Sequence, residues 1–136
     1  MSGHRTVPHT ADLRVEAWAP TREQCIGEAV VGAVESFADT SYSGVTSRRV
    51  ARLHAARDED LLVAALDEVI FRLETEAEIP VQVDVGPADK GVEVRFVMAP
   101  AADLAQVGAV PKAVSLHELH LAPGPDGWSC SVTLDV

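Results

Sequence analysis

Twice in the second half of the chain an alternating apolar run stops at a Gly- and Pro-containing turn and then resumes. Val81, Val83 and Val85 lead into Gly86-Pro87-Ala88-Asp89-Lys90-Gly91, after which Val92, Val94 and Phe96 alternate again. Val114, Leu116, Leu119 and Leu121 lead into Pro123-Gly124-Pro125-Asp126-Gly127, and Trp128, Cys130, Val132 and Leu134 complete the second pair. Apolar side chains at every second position line one face of a strand. A turn between two such runs predicts a hairpin, so this half of the chain commits the fold to antiparallel β-structure.

The first half adds helices. Leu13, Val15 and Ala17 alternate with Arg14 and Glu16, which predicts a half-buried strand from Asp12 to Trp18 that Pro20 ends. Thr21 with Gln24 forms a capping-box pattern, and Ile26, Ala29, Val30, Ala33, Val34 and Phe37 follow at helical spacing. Gly27 and Gly32 inside that helix each cost about 1 kcal/mol relative to Ala, so close packing against the sheet is the expected compensation. Arg48 to Ala55 reads as a further strand, and Asp58 or Asp60 is placed to cap a second helix with the stripe Leu62, Ala65, Leu66, Val69, Ile70 and Leu73. The sum is one α+β domain over 1–136, two helices packed on one face of a largely antiparallel sheet as a two-layer sandwich. Residues 99–111 are weakly periodic and long for a connector, which marks them as a candidate site-lining loop.

Charge narrows the function. Lys and Arg total 11 against 21 Asp and Glu, a net charge of -10, so phosphate is repelled and unaided nucleic-acid binding is disfavoured. Such a surface suits a cation or a basic protein partner, or serves solubility alone. No apolar run approaches the roughly 20 residues that span a bilayer, and no signal-peptide core is visible, which predicts a cytoplasmic protein with no membrane partner. Cys25 and Cys130 have no second Cys or His at ligand spacing and are read as buried free thiols.

Carboxylates are the leading candidate chemistry. Asp12 opens the first strand and Asp135 closes the last. If those strands are antiparallel neighbours, both acids arrive at one sheet edge, and the main-chain carboxylate of Val136 adds another pair of oxygens. Oxygen-only ligation suits Ca²⁺ or Mg²⁺ rather than Zn²⁺, but supplies fewer than the 6–8 or so ligands Ca²⁺ takes, leaving positions for water or a partner. The competing reading makes Asp12 a turn residue and Asp135 a solvated strand end. Lys112, directly after Pro111, is placed to neutralise the acids, grip a phosphate, meet a partner, or stand as an ordinary solvated lysine.

The remaining motifs are weaker. His117 and His120, three apart on a strand, should face opposite ways and so cannot share a metal ion. Ser115 lies near His117 but no G-x-S-x-G elbow surrounds it, and neither a phosphate-binding P-loop nor a dinucleotide fingerprint is present. A stand-alone metal-dependent hydrolase would need a general base near the metal, and only His9 is a candidate.

In combination these segments resemble the archease family. His9-Thr10-Ala11-Asp12-Leu13 is similar to its "HTAD-aliphatic" opening, and Asp60-Leu61-Leu62-Val63 running into Leu66-Asp67-Glu68 resembles its "LLv-x-x-L-N-E" helix. Lys112-Ala113-Val114-Ser115-Leu116-His117 is similar to its "KAvTyH" motif, and the terminal Asp135-Val136 matches its "DI" or "DV". Ser115 and Leu116 replace the usual Thr and Tyr, Asp67 stands where Asn is common, and Ala19-Pro20 replaces Gly-rich positions. The resemblance implies a non-enzymatic activator of the RNA-splicing ligase that joins 2′,3′-cyclic-phosphate or 3′-phosphate RNA ends to 5′-hydroxyl ends. That ligase uses Mn²⁺ and a guanylylated histidine; the activator promotes guanylylation and multiple turnover and broadens nucleotide use in tRNA splicing and RNA repair, reaching RNA only through the ligase. The resemblance also implies a metal site, associated with Ca²⁺, at Asp12, Asp135 and Val136, with Lys112 functionally important. His9 joins Lys112 as a candidate partner or phosphate contact. A chaperone-like binding module is the alternative function.

Overall fold

A computed structural model describes residues 1–9 and 12–136, with the side chains of Pro8 and His9 also outside the described set. Seven strands and two α-helices follow in the order β1 (Gly3–His9), β2 (Asp12–Ala19), α1 (Arg22–Glu35), β3 (Ser47–His54), α2 (Asp58–Glu76), β4 (Glu78–Ala88), β5 (Gly91–Pro100), β6 (Ala113–Gly124) and β7 (Gly127–Asp135). The strands form two antiparallel sheets, four-stranded in the order β1-β2-β7-β6 and three-stranded in the order β3-β5-β4. Both helices pack on both sheets. The α+β reading and the hairpins therefore stand, with the β-layer divided in two.

Local chemistry explains the elements. Thr21 caps α1, its hydroxyl accepting from the Gln24 N–H at 3.1 Å. Arg57, rather than Asp58 or Asp60, stands at the cap of α2 with no capping side-chain hydrogen bond. Asp58, Glu59 and Asp60 instead fill the first turn, where the helix dipole favours negative charge. The buried stripes of the helices meet Val15, Ala17, Val132 and Leu134 of one sheet and Val92, Val94, Phe96 and Met98 of the other in a single core.

Gly32 permits a close approach: a Cβ there would lie 2.9 Å from the His4 ring and 3.1 Å from Val15. Gly27 faces only Val85 at an ordinary 3.5 Å, so the packing compensation holds at one of the two glycines. His4, at the start of β1, bonds Glu28 Oε1 through Nδ1 and Glu35 Oε1 through Nε2, each at 2.9 Å. Burial works against its charged form, but the two carboxylates more than offset that and hold its pKa above the ordinary histidine value. This clamp ties the edge strand to α1.

Cys25 and Cys130 are free, buried and, despite their distance in sequence, neighbours in the core. Hydrogen bonding to Cys25 and then burial push the Cys130 thiol up, so it stays protonated. Among the described residues no helix is long and apolar enough to cross a membrane.

Candidate functional site

The register of the four-stranded sheet sets Asp12 directly opposite Asp135 across β2 and β7. On the other side of β7, Ala113 of β6 is the partner of the same Asp135. The Lys112 N–H donates to the Asp135 carbonyl at 2.7 Å. One end of the sheet thus gathers Asp12, Asp135 and the Lys112 main chain, and Val136 follows directly. Strand alternation puts Leu13 and Leu134 toward the helices and both aspartates on the outer face, their Cβ atoms about 5 Å apart as directly opposed pairs are. The Lys112 side chain is exposed and makes no ion pair among the described residues.

The donor set here is hard oxygen. Among the described residues two carboxylates face each other with no thiolate beside them, which matches Ca²⁺ or Mg²⁺ chemistry. Among the described residues no three His, Cys, Asp or Glu side chains cluster closely enough to hold an ion by themselves. The residues fit an ion that draws further ligands from main-chain oxygens, water or a partner. His9 pairs with Asp12 through the strand register, but its proposed contact lies outside the described residues.

Beside this edge the outer face is hollowed into a cleft of about 320 Å³ lined by Asp12, Arg14, Ser115, His117, Glu118 and Thr133, with Val7 at its margin. The cleft exists because β6 bulges: between Ser115 and His120 its register against β7 shifts, and Glu118 takes a left-handed φ of 56°. Bulges re-aim side chains beside sites, and a left-handed non-glycine residue is strained. The alternation argument that set His117 and His120 on opposite faces does not apply across this bulge. Arg14 and Thr133 were identifiable as outward positions of alternating strands but carried no motif. The 99–111 loop reaches the site only at its end. Its middle is tied to the end of α1, where the Val107 N–H donates to the Phe37 carbonyl and the Asp39 N–H to that of Ala105, both at 2.9 Å.

Fold and site together define a two-helix, seven-strand α+β domain whose polar edge comes from its second and last strands. The model of the Archease protein family (MTH1598/TM1083) matches residues 4–136, and the chain belongs to that family. A probable archease of Mycobacterium tuberculosis is 58% identical over 135 residues, covering 99% of this chain and 75% of the relative. The archease of Archaeoglobus fulgidus is 26% identical over 136 residues, with 98% of each chain covered. The solution structure of Methanobacterium thermoautotrophicum protein 1598 superposes with a TM-score of 0.73 at 21% identity, covering 98% of this chain and 99% of the other. A Thermotoga maritima archease described as a possible chaperone gives a TM-score of 0.68 at 18% identity, covering 96% and 94%.

Proposed function

We propose that this chain is a cytoplasmic, non-catalytic activator of the RNA-splicing ligase, working through the Asp12–Asp135 edge. The carrying observation is the register that sets these two aspartates opposite each other with Lys112 hydrogen-bonded to the same strand end. Membership of the archease family supports the ligase as partner.

Asp12, Asp135 and Val136 would hold a divalent ion, with Ca²⁺ first and Mg²⁺ or Mn²⁺ as alternatives. Such an ion supplies positive charge and open coordination positions at the contact with the ligase. The exposed Lys112 ammonium adds a second positive charge, free to meet the ligase or a nucleotide phosphate. The chain's net charge of -10 supports action on RNA through the ligase rather than by direct grip.

The deciding experiment is GTP-dependent guanylylation of the cognate ligase over several turnovers, with and without this protein. Stimulation by the wild-type protein and its loss in Asp135→Ala is the expected result; equal stimulation by the variant would sink the edge mechanism. The description of the Thermotoga maritima relative favours a second reading, chaperone-like binding. That reading predicts stabilisation of the ligase that is indifferent to Asp135.

A further inference from the structure

We infer that the cleft beside the acidic edge is a binding site for the phosphoryl groups of a polyphosphate, engaged only when a divalent ion occupies that edge. The inference rests on the ion-binding reading above and assigns new residues to it. Among the described residues one buried polar atom at the cleft, on Arg14, lacks a hydrogen-bond partner, and the Thr133 hydroxyl across the strand pair from it makes none either. Thr133 is 9% exposed, and its hydroxyl makes no hydrogen bond among the described residues. Arg14 Nε is buried without a hydrogen-bond partner; its guanidinium makes only long ion pairs, to Glu16 at 3.9 Å and Glu118 at 4.0 Å, beyond hydrogen-bond reach. Buried donors are nearly always paired, so the Arg14 Nε–H, with the Thr133 hydroxyl opposite it on β7, leaves positions for acceptor atoms of a ligand.

The rest of the lining supports an anion. Ser115 Oγ accepts from the His117 N–H at 3.2 Å, which leaves its hydroxyl proton free to donate. The strained bulge brings the His117 ring, 80% exposed, to the cleft. A guanidinium, two hydroxyls and an imidazole form a donor set suited to phosphoryl oxygens, and the planar guanidinium suits two of them at once. Asp12 and Glu118 oppose an anion, and this is why the ion is required. Glu118 sits on the bulge with its side chain 63% exposed and can turn toward solvent. Asp12 belongs to both the cleft and the edge, so a cation held there lies between its carboxylate and the incoming phosphoryl group.

The test is calorimetric titration of the purified protein with inorganic tripolyphosphate and, separately, with GTP, each in Mg²⁺ and in chelator. Binding of both in Mg²⁺ and of neither in chelator is expected, with Arg14→Gln and Thr133→Val each weakening it about tenfold. Ion affinity measured without polyphosphate should be unchanged in both variants, and their melting temperatures should show that they fold. Ion binding without polyphosphate binding, or polyphosphate binding indifferent to Arg14→Gln or to chelation, would overturn the cleft and leave the acidic edge standing. GTP binding without tripolyphosphate binding would show that the nucleoside is recognised and would also overturn the inference. Failure of the wild-type protein to bind any divalent ion would instead overturn the edge, and the cleft with it.

Discussion

Replacing Asp135 by Asn is expected to move stability in opposite directions according to whether a divalent ion is present. Asp12 and Asp135 are direct partners across β2 and β7, and like charges so placed are destabilising by roughly 0.2–1 kcal/mol. Coulomb's law for two unit charges about 5 Å apart in water gives about 0.8 kcal/mol, the same order. In chelator the Asn variant should therefore melt about 3 °C higher than wild type. With the ion at about 100 times its Kd, the wild-type protein gains about 2.7 kcal/mol, or about 9 °C, and the variant gains little. The stability order then reverses. Scanning calorimetry in EDTA and across a Ca²⁺ titration reads both halves of the argument. An equal Ca²⁺-induced gain in the two proteins would refute the ion site, and a variant less stable in EDTA would refute the repulsion.

Three further outcomes are expected. The pKa of His4 is raised above its ordinary 6.5, so the clamp's stability is complete below that value and is lost as pH rises through the folded value. Two partly exposed pairs at about 0.5 kcal/mol each make His4→Gln cost roughly 1 kcal/mol near about pH 5.5 and progressively less as pH rises through the folded value; a pH-independent difference in urea midpoints would contradict this. Ala77, with φ 54° at the C-terminal cap of α2, should gain about 0.5–1 kcal/mol on replacement by Gly, read as a higher urea midpoint at unchanged slope. A Cβ at Gly91 would sit 1.7 Å from the Leu53 carbonyl oxygen, so Gly91→Ala should cost at least about 2 kcal/mol; a near-neutral melting temperature would show that β3 and β5 can separate there.

Much of the fold was legible because it rests on local chemistry. The Thr21 cap, the helical stripes and both hairpins follow from short-range patterns, and the structure has them. Strand β1 was not legible. It is an edge strand, carries a proline, and holds itself to α1 by a His4–Glu28–Glu35 network instead of apolar alternation, so the usual signal is missing. The bulge in β6 did leave a trace: the apolar positions Val114 and Leu116 are even and Leu119 and Leu121 odd, a parity break that signals inserted residues. Leu116, 70% exposed, lies on the break. The placement of Asp12 opposite Asp135 required pairing between strands at the two extremes of the sequence, which no local pattern specifies; the strand-end positions posed it as a condition and the register places them together. Arg14 and Thr133 acquire meaning only once β2, β6 and β7 lie side by side.

The strand order β1-β2-β7-β6 fixes a sequence of assembly. The three-stranded sheet draws only on the middle of the chain, whereas β2 cannot find its neighbour until β7 has been made. During synthesis β1 and β2 form at most a two-stranded ribbon, with one edge waiting while most of the chain is still to come. The pairing of Asp12 with Asp135 is thus among the last features to form, and a chain interrupted before β7 has the two helices but not that pairing. Topology alone makes the acidic edge wait for the synthesis of β7.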